Sequence, residues 1–158
     1  MPSSPTISAV NGSKFYIGTA SDINNQTLAV AAVYTQVKQV STMPDYGDTA
    51  TPVPFLAVDS GREIMLKGTQ NGGTSNVTCG YVAGDAGQAA MDAAELSHSN
   101  YFFKIVMNDQ PVGGTAPTTV YLWGMVTSKR KKGGAANSVE MVDYTIAIND
   151  APIEIQAS

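Results

Sequence analysis

The chain has 158 residues, a formal net charge of −4 and 14% charged residues. That length fits one domain, and so low a charge density argues against disorder. No run of about eighteen apolar residues is present, which excludes a membrane-spanning helix. Leu, Ile, Val and Phe together number 33, roughly a fifth of the chain and a modest supply for a core. Partners are therefore expected to complete the burial.

Cys79 is the only cysteine and His98 the only histidine, which leaves no intramolecular disulfide and no cysteine or histidine metal cluster. The start, Met1-Pro2-Ser3-Ser4-Pro5, has neither a basic nor an apolar signal region, so no secretory signal is expected. The acidic balance suits nucleic-acid binding poorly, because that affinity comes from Lys and Arg on phosphates. Thirty-nine Ile, Val and Thr against nine Leu and Glu favour β structure, since β-branched side chains lose rotamers in helices and pack well on pleated surfaces.

In chain order, residues 1–13 are Pro-, Ser- and Asn-rich and read as an N-terminal arm. Lys14 to Ile17 reads as a short strand. Leu28 to Val33 is apolar on both parities, so periodicity does not separate strand from helix; Val33, Tyr34, Thr35 and Val37 tilt the reading to strand. From residue 42 to 61 no period appears, and Pro44, Pro52 and Pro54 interrupt any ladder. A loop of this length is uncommon in a compact domain. It carries Met43, Pro44, Asp45, Tyr46, Asp48, Phe55 and Leu56, a set with too many large apolar side chains to leave in water. Either it covers its own core or it docks on another subunit.

Arg62 to Lys67 and Thr74 to Val82 read as strands around Asn71-Gly72, a type I′ turn signal. Cys79 shares a face with Val77 and reads as a small buried hydrophobe. Asp85 and Gln88 form a capping-box pattern opening a helix over 85–97, with a stripe of Ala89, Ala93 and Leu96, and Ala90 and Ala94 beside it, expected to face the sheet and Asp92 and Glu95 to face out. Tyr101 to Met107 alternates. Thr118 to Ser128 carries large residues on both parities and reads as a central strand. Lys129 to Asn137 reads as a basic, glycine-rich hairpin connection, Val139 to Ile148 as a strand, and Ile153 to Ile155 as a short terminal strand in a C-terminal arm, 151–158. The whole predicts a single domain, mainly β: a two-sheet sandwich or barrel flanked by one α-helix, with no internal repeat.

Catalytic patterns are missing: no Gly-x-Ser-x-Gly elbow, His-Glu-x-x-His pair or phosphate loop is present. No enzyme activity, cofactor or metal is expected. Asp45 and Asp48 read as turn residues, and His98 as a helix-terminal or solvated residue. Lys129, Arg130, Lys131 and Lys132 hold four of the nine basic residues. They form either a solvated tip or a contact with an acidic patch on a neighbouring copy.

Four landmarks in order carry a resemblance: Val37 to Thr49, Lys67-Gly68-Thr69 with Asn71 to Thr74, Asp85-Ala86-Gly87-Gln88 with its alanine-rich helix, and Tyr101 to Lys104 with Gly133 to Asn137. Together the chain resembles the major tail tube proteins of long, non-contractile-tailed bacteriophages and gene-transfer agents, from Lys14 to Ile155. The resemblance implies a β-sandwich with a flanking helix, hexameric rings stacked into a tube, and a place in the virion tail after assembly in the bacterial host cytoplasm. It also implies tape-measure and tail-end proteins as partners, transient passage of DNA, and no membrane. The long loop 42–61 and both arms would touch neighbouring subunits and rings. On that reading Glu63, Glu140 and Asp143 are the candidates to line the channel, with Lys129–Lys132 away from it. The alternative is a carbohydrate- or receptor-binding β-sandwich, which needs an exposed cluster of aromatics.

Overall fold

The computed structural model describes residues 7–158, so the first six residues of the expected N-terminal arm lie outside it. Ten strands and two helices are present among the described residues: β1 Lys14–Ala20, α1 Gln26–Ala31, β2 Thr35–Val37, β3 Val40–Thr42, β4 Thr49–Leu56, β5 Glu63–Asn71, β6 Thr74–Gly80, α2 Ala86–Leu96, β7 Tyr101–Val106, β8 Thr119–Lys132, β9 Met141–Ile148 and β10 Ile153–Ile155. The mainly β expectation is met. An antiparallel sheet runs β2-β1-β7-β8-β9-β6-β3, with β10 also paired to β8, while β4 and β5 pair only with each other. Phe15 and Ile17 of β1 share one core with Val77 and Cys79 of β6. Those strands lie far apart in the sheet order, so the sheet curls over its own interior.

Alternation builds that interior. Along β9, Val142, Tyr144, Ile146 and Ile148 are buried and the intervening residues are half-exposed, as a period of two requires. Phe15 stacks on Phe103 with centroids 5.9 Å apart, and Met91 and Ala94 bring α2 onto the same cluster. Cys79 is fully buried there. Burial, then the charges of Asp85, Asp143 and Asp92, push its thiol up to about 11, so it serves as a small hydrophobe.

The α2 cap is built from more than its own turn. Asp85 Oδ2 accepts from the Gln88 backbone N–H at 3.1 Å and from the Lys38 N–H at 3.2 Å. Gln88 does not reach back to the cap. Its Nε2 donates to the Gly80 carbonyl at 2.8 Å and its Oε1 accepts from the Val82 N–H at 3.2 Å, tying α2 to the end of β6. The buried face is Gly87, Gln88, Met91 and Ala94, whereas Ala89, Ala93 and Leu96 point outward. The expected face is thus displaced, because Gly87 must meet β2: a Cβ there would press on the Gln36 carbonyl. Asp92, expected to face out, accepts from the Tyr144 hydroxyl at 2.7 Å and pairs with Lys129 at 2.8 Å.

Four further expectations are corrected. Residues 26–31 form a second helix, not strand. Asn25 caps it by accepting from the Thr27 N–H at 2.8 Å, and Ala29 is buried on Phe102 and Tyr121; capping and burial together override β propensity. The second half of the expected loop 42–61 is strand β4. Pro52 and Pro54 are tolerated because a two-stranded ribbon has open outer edges. Asn71-Gly72 does not close a hairpin, since β5 pairs with β4 and β6 with β9 and β3. Lys129 to Lys132 are not a hairpin tip: β8 runs through Lys132, and the turn begins at Gly133.

Candidate functional site

Three features stand unsatisfied in the single chain: an apolar ribbon, open strand edges and a bare polar sheet face. The ribbon is β4 and β5. Its ladder aligns Val53 with Leu66, Pro54 with Met65, Phe55 with Ile64 and Leu56 with Glu63. Directly opposed residues share a face, so Val53, Phe55, Ile64 and Leu66 form one wholly apolar side. Pro54, Leu56, Met65 and Glu63 form the other. All six large apolar side chains are exposed, Phe55 at 57% and Leu56 at 65%. An isolated two-stranded hairpin is at best marginally stable in water, and this one extends about 25 Å at the usual rise per residue.

The expected contact segment therefore divides. Phe55 and Leu56 lie on the ribbon. Pro44 is buried, and Met43 and Tyr46 are half-buried against the chain's own core; burial followed by the charge of Glu154 raises the Tyr46 phenol. Asp45 accepts from the Ser75 hydroxyl through its carbonyl, and Asp48 lies at the ribbon's base beside Gln70, Asn71 and Asp150. Beside Met43, Pro44 and Tyr46 opens a mostly apolar recess of about 500 Å³, which also takes in Val10, Ile105 and Met107. The described part of the N-terminal arm is exposed at its rim apart from the half-buried Ser13. The C-terminal segment 151–158 is docked: β10 pairs with β8, and the Thr115 N–H donates to the Ser158 carbonyl at 2.6 Å.

The strand edges are short or half-covered. β2 and β3 end the sheet with three residues each. β7 accompanies β8 only from Thr119 to Gly124. From there to Lys132, β8 has a strand partner on its β9 side alone.

The outer face of the sheet has two halves. One is covered: Phe102, Tyr121 and Trp123 lie under Ala29, Ala32 and Tyr34, and the Trp123 Nε1–H donates to the Ser21 carbonyl at 2.9 Å. Nearby, Lys104 Nζ sits 4.4 Å from the Tyr16 ring centre and 4.7 Å from that of Tyr34. The other half, on β6, β9 and the far part of β8, is uncovered and mainly polar, with Met141 on it opposite Lys132. It carries Asn76 and Thr78, Asp143 and Thr145, and Ser128, Arg130 and Lys132, placed side by side by the registers Thr78↔Asp143↔Arg130 and Asn76↔Thr145↔Ser128. Thr78 Oγ1 donates to Asp143 Oδ1 at 2.6 Å and Thr145 Oγ1 to Asn76 Oδ1 at 2.9 Å. Lys132 Nζ lies 2.8 Å from Asp143 Oδ2. Bonds from Lys132 and then Thr78 hold the Asp143 carboxyl below its usual range.

Strand alternation splits the basic cluster between the two sides of the sheet. Lys129 joins Asp92 of α2. Lys131 lies 4.0 Å from Glu140 and 4.0 Å from the Tyr81 ring centre. Arg130 and Lys132 share the polar face with Asp143. The three acids expected in one lining are not brought together: Glu63 stands at the far end of the ribbon, and Glu140 pairs with Lys131 at the turn into β9. Polar alternation in β6 and β9 was the one sequence signal for the polar face. The ribbon's pairing had none, because its prolines hid the strand pattern. Among the described residues no group of acidic, His or Cys side chains is arranged to hold a metal, and no helix is long and apolar enough to cross a membrane.

No protein-family model matches the chain, and no curated protein matches it. Solved structures do. A chain of the anti-feeding prophage baseplate, in a six-fold symmetrised structure, superposes with a TM-score of 0.67 at 14% identity, over 99% of this chain and 99% of that one. The SPP1 tail tube superposes with a TM-score of 0.65 at 13% identity, over 94% of this chain and 80% of that one. The tail of an empty GTA particle, with C6 symmetry, gives 0.60 at 14% identity, over 89% and 95%. The chain thus has the fold found in the SPP1 tail tube, the GTA tail and the anti-feeding prophage baseplate chain.

Proposed function

We propose that this chain is a structural subunit that polymerises with copies of itself into rings, six to a ring, stacked as a virion tail tube that conducts DNA. The observation that carries the reading is the β4–β5 ribbon, whose two faces expose Val53, Phe55, Ile64, Leu66, Leu56 and Met65. Exposed apolar surface of that extent marks an interaction site. The six-fold and C6 symmetries of the anti-feeding prophage and GTA structures support the ring number. Head-to-tail contacts that close give a ring, and those that do not close give a filament. Short edge strands and the half-open edge of β8 supply hydrogen-bond donors and acceptors for pairing across copies.

A water-filled conduit needs a mainly polar wall. The bare face of β6, β9 and β8, mainly polar with Met141 among its residues, fits that need and is assigned to the channel; Asp143 is then on it, Glu63 and Glu140 are off it, and Arg130 and Lys132 are on it, against the expectation that the whole basic cluster lies away from the channel. Phe55 and Leu56 make the inter-subunit contact, and Met43, Pro44, Asp45, Tyr46 and Asp48 shape the surface beside it. Tape-measure and tail-end proteins are the further partners. The alternative, a sugar- or receptor-binding module, lacks its aromatic platform, because Trp123 is packed beneath α1. Negative-stain imaging and sedimentation of the purified chain test the proposal. Rings or hollow tubes are expected; a chain that stays monomeric at millimolar concentration overturns it.

A further inference from the structure

The polar face has a charge arrangement that a simple acidic channel would not have. It holds two cations, Arg130 and Lys132, around a single carboxylate, Asp143, all on one parity of β8 and β9. Asp143 is fixed from two sides, by Thr78 and by Lys132. Arg130 stands opposite Asp143 in the ladder and forms no salt bridge among the described residues. The neighbours are the hydroxyls and amide of Asn76, Thr145 and Ser128, with Met141 opposite Lys132. A recess of about 320 Å³ borders the patch at Lys132, lined also by Lys131, Gly133, Gly134 and Glu140 at the turn into β9, and Arg130 and Asp143 lie outside it.

Resting on the conduit reading above, we infer that Arg130, Asp143 and Lys132 form a compensated patch that meets the phosphate backbone of duplex DNA weakly. Asp143 is the residue that keeps the contact weak. A guanidinium and an ammonium both recognise phosphate, the first through its planar fork. A carboxylate already bound to Lys132 removes one of them from competition and repels phosphate from the other. The patch repeats in every copy of a ring, so a small contact per copy becomes strong retention unless each is offset. A wall that must pass DNA without holding it has a use for such an offset.

The test reads the patch on the full-length free chain, separately from assembly. Binding of a fluorescent 20-base-pair duplex is followed by anisotropy at 50 and 200 mM NaCl. Asp143→Asn keeps an acceptor for Thr78 and frees Lys132. It is expected to tighten binding, and its advantage should shrink about 3.5-fold between the two salts, as one added phosphate contact dictates. Glu140→Gln changes net charge equally but lies off the patch, and should leave binding unchanged. D143N/K132M should return to the original affinity, and R130Q should weaken it.

Equal tightening by D143N and E140Q would mean that only net charge matters and would overturn the inference. So would an unchanged D143N, or an R130Q that binds as before. Sodium phosphate competing beyond its ionic strength would point to a free-anion site and also overturn it. If D143N does not fold, R130Q and K132M alone decide, since both must weaken binding. Failure of the unaltered chain to form tubes would sink the conduit reading without altering these comparisons.

Discussion

The double substitution Phe55→Ser with Ile64→Thr tests where assembly energy resides. The two residues oppose each other on the apolar side of the ribbon and are 57% and 51% exposed in the single chain. Complete burial of such a side chain contributes about 1.5–3 kcal/mol. With half still open, each retains about 0.8–1.5 kcal/mol to gain on association. The pair therefore holds roughly 2–3 kcal/mol per subunit contact. At about 1.4 kcal/mol per factor of ten, the critical concentration for tube growth should rise roughly 30- to 140-fold. Within one chain the substitution removes a single cross-strand pair, a loss of about 1 kcal/mol or less. Pelleting across a concentration series gives the first quantity and thermal melting of dilute protein the second. A melting point that collapses while the critical concentration stays put would refute the reasoning, because the ribbon would then be stabilising its own fold.

Gly87→Ala should prevent native packing of α2, since the added methyl meets the Gln36 carbonyl and the Val37 backbone; circular dichroism showing an unchanged melt would contradict this. Tyr144→Phe removes the hydroxyl bond to Asp92 but leaves Asp92 with Lys129, so a loss of about 1 kcal/mol is expected in urea. Asp143 is held below the ordinary carboxylate range by Lys132 and Thr78. Its contribution is complete above about pH 4 and is lost as pH falls through the lowered value. Melting of the unaltered chain should therefore fall more steeply than that of D143N in this acid range, and parallel curves would refute it. Replacing Pro52 and Pro54 by Thr restores two backbone donors on one parity of an edge strand, and disordered, thioflavin-positive aggregation should increase; clear solutions at matched concentration would count against it.

Where neighbours in sequence decide the structure, the sequence was readable. The Asp85 cap, the extent of α2, the central strand β8 and the burial of Cys79 all follow from local pattern and side-chain chemistry. Residues 26–31 failed because Leu28 to Val33 offers both parities, and only burial of Ala29 on Phe102 and Tyr121, some seventy or more positions away, selects helix. The α2 face failed for a similar reason. Four of its small residues could have turned inward, and the close approach of β2 at Gly87 chose among them. For the candidate site, Phe55 and Leu56 were legible as side chains out of place. The division of Lys129–Lys132 between two faces was hidden, because it depends on β8 continuing as strand through four charged residues. Pairing with β9, which supplies Asp143 on one side while α2 supplies Asp92 on the other, is what permits it.

The same edge chemistry bears on how copies can join. Pro52 and Pro54 deprive the outer edge of β4 of donors, so the ribbon is poorly made for pairing through its backbone and well made for docking through its sides. Two ribbons that met face to face about a two-fold axis would close a dimer and stop. Growth without limit needs the ribbon to seat on a surface unlike itself. The recess at Val10, Met43, Pro44, Tyr46, Ile105 and Met107 is such a surface, apolar and separate from β4 and β5. A chain whose two complementary surfaces are placed so that one neighbour does not reach both at once engages a different copy through each, and that head-to-tail asymmetry is what an open-ended tube requires.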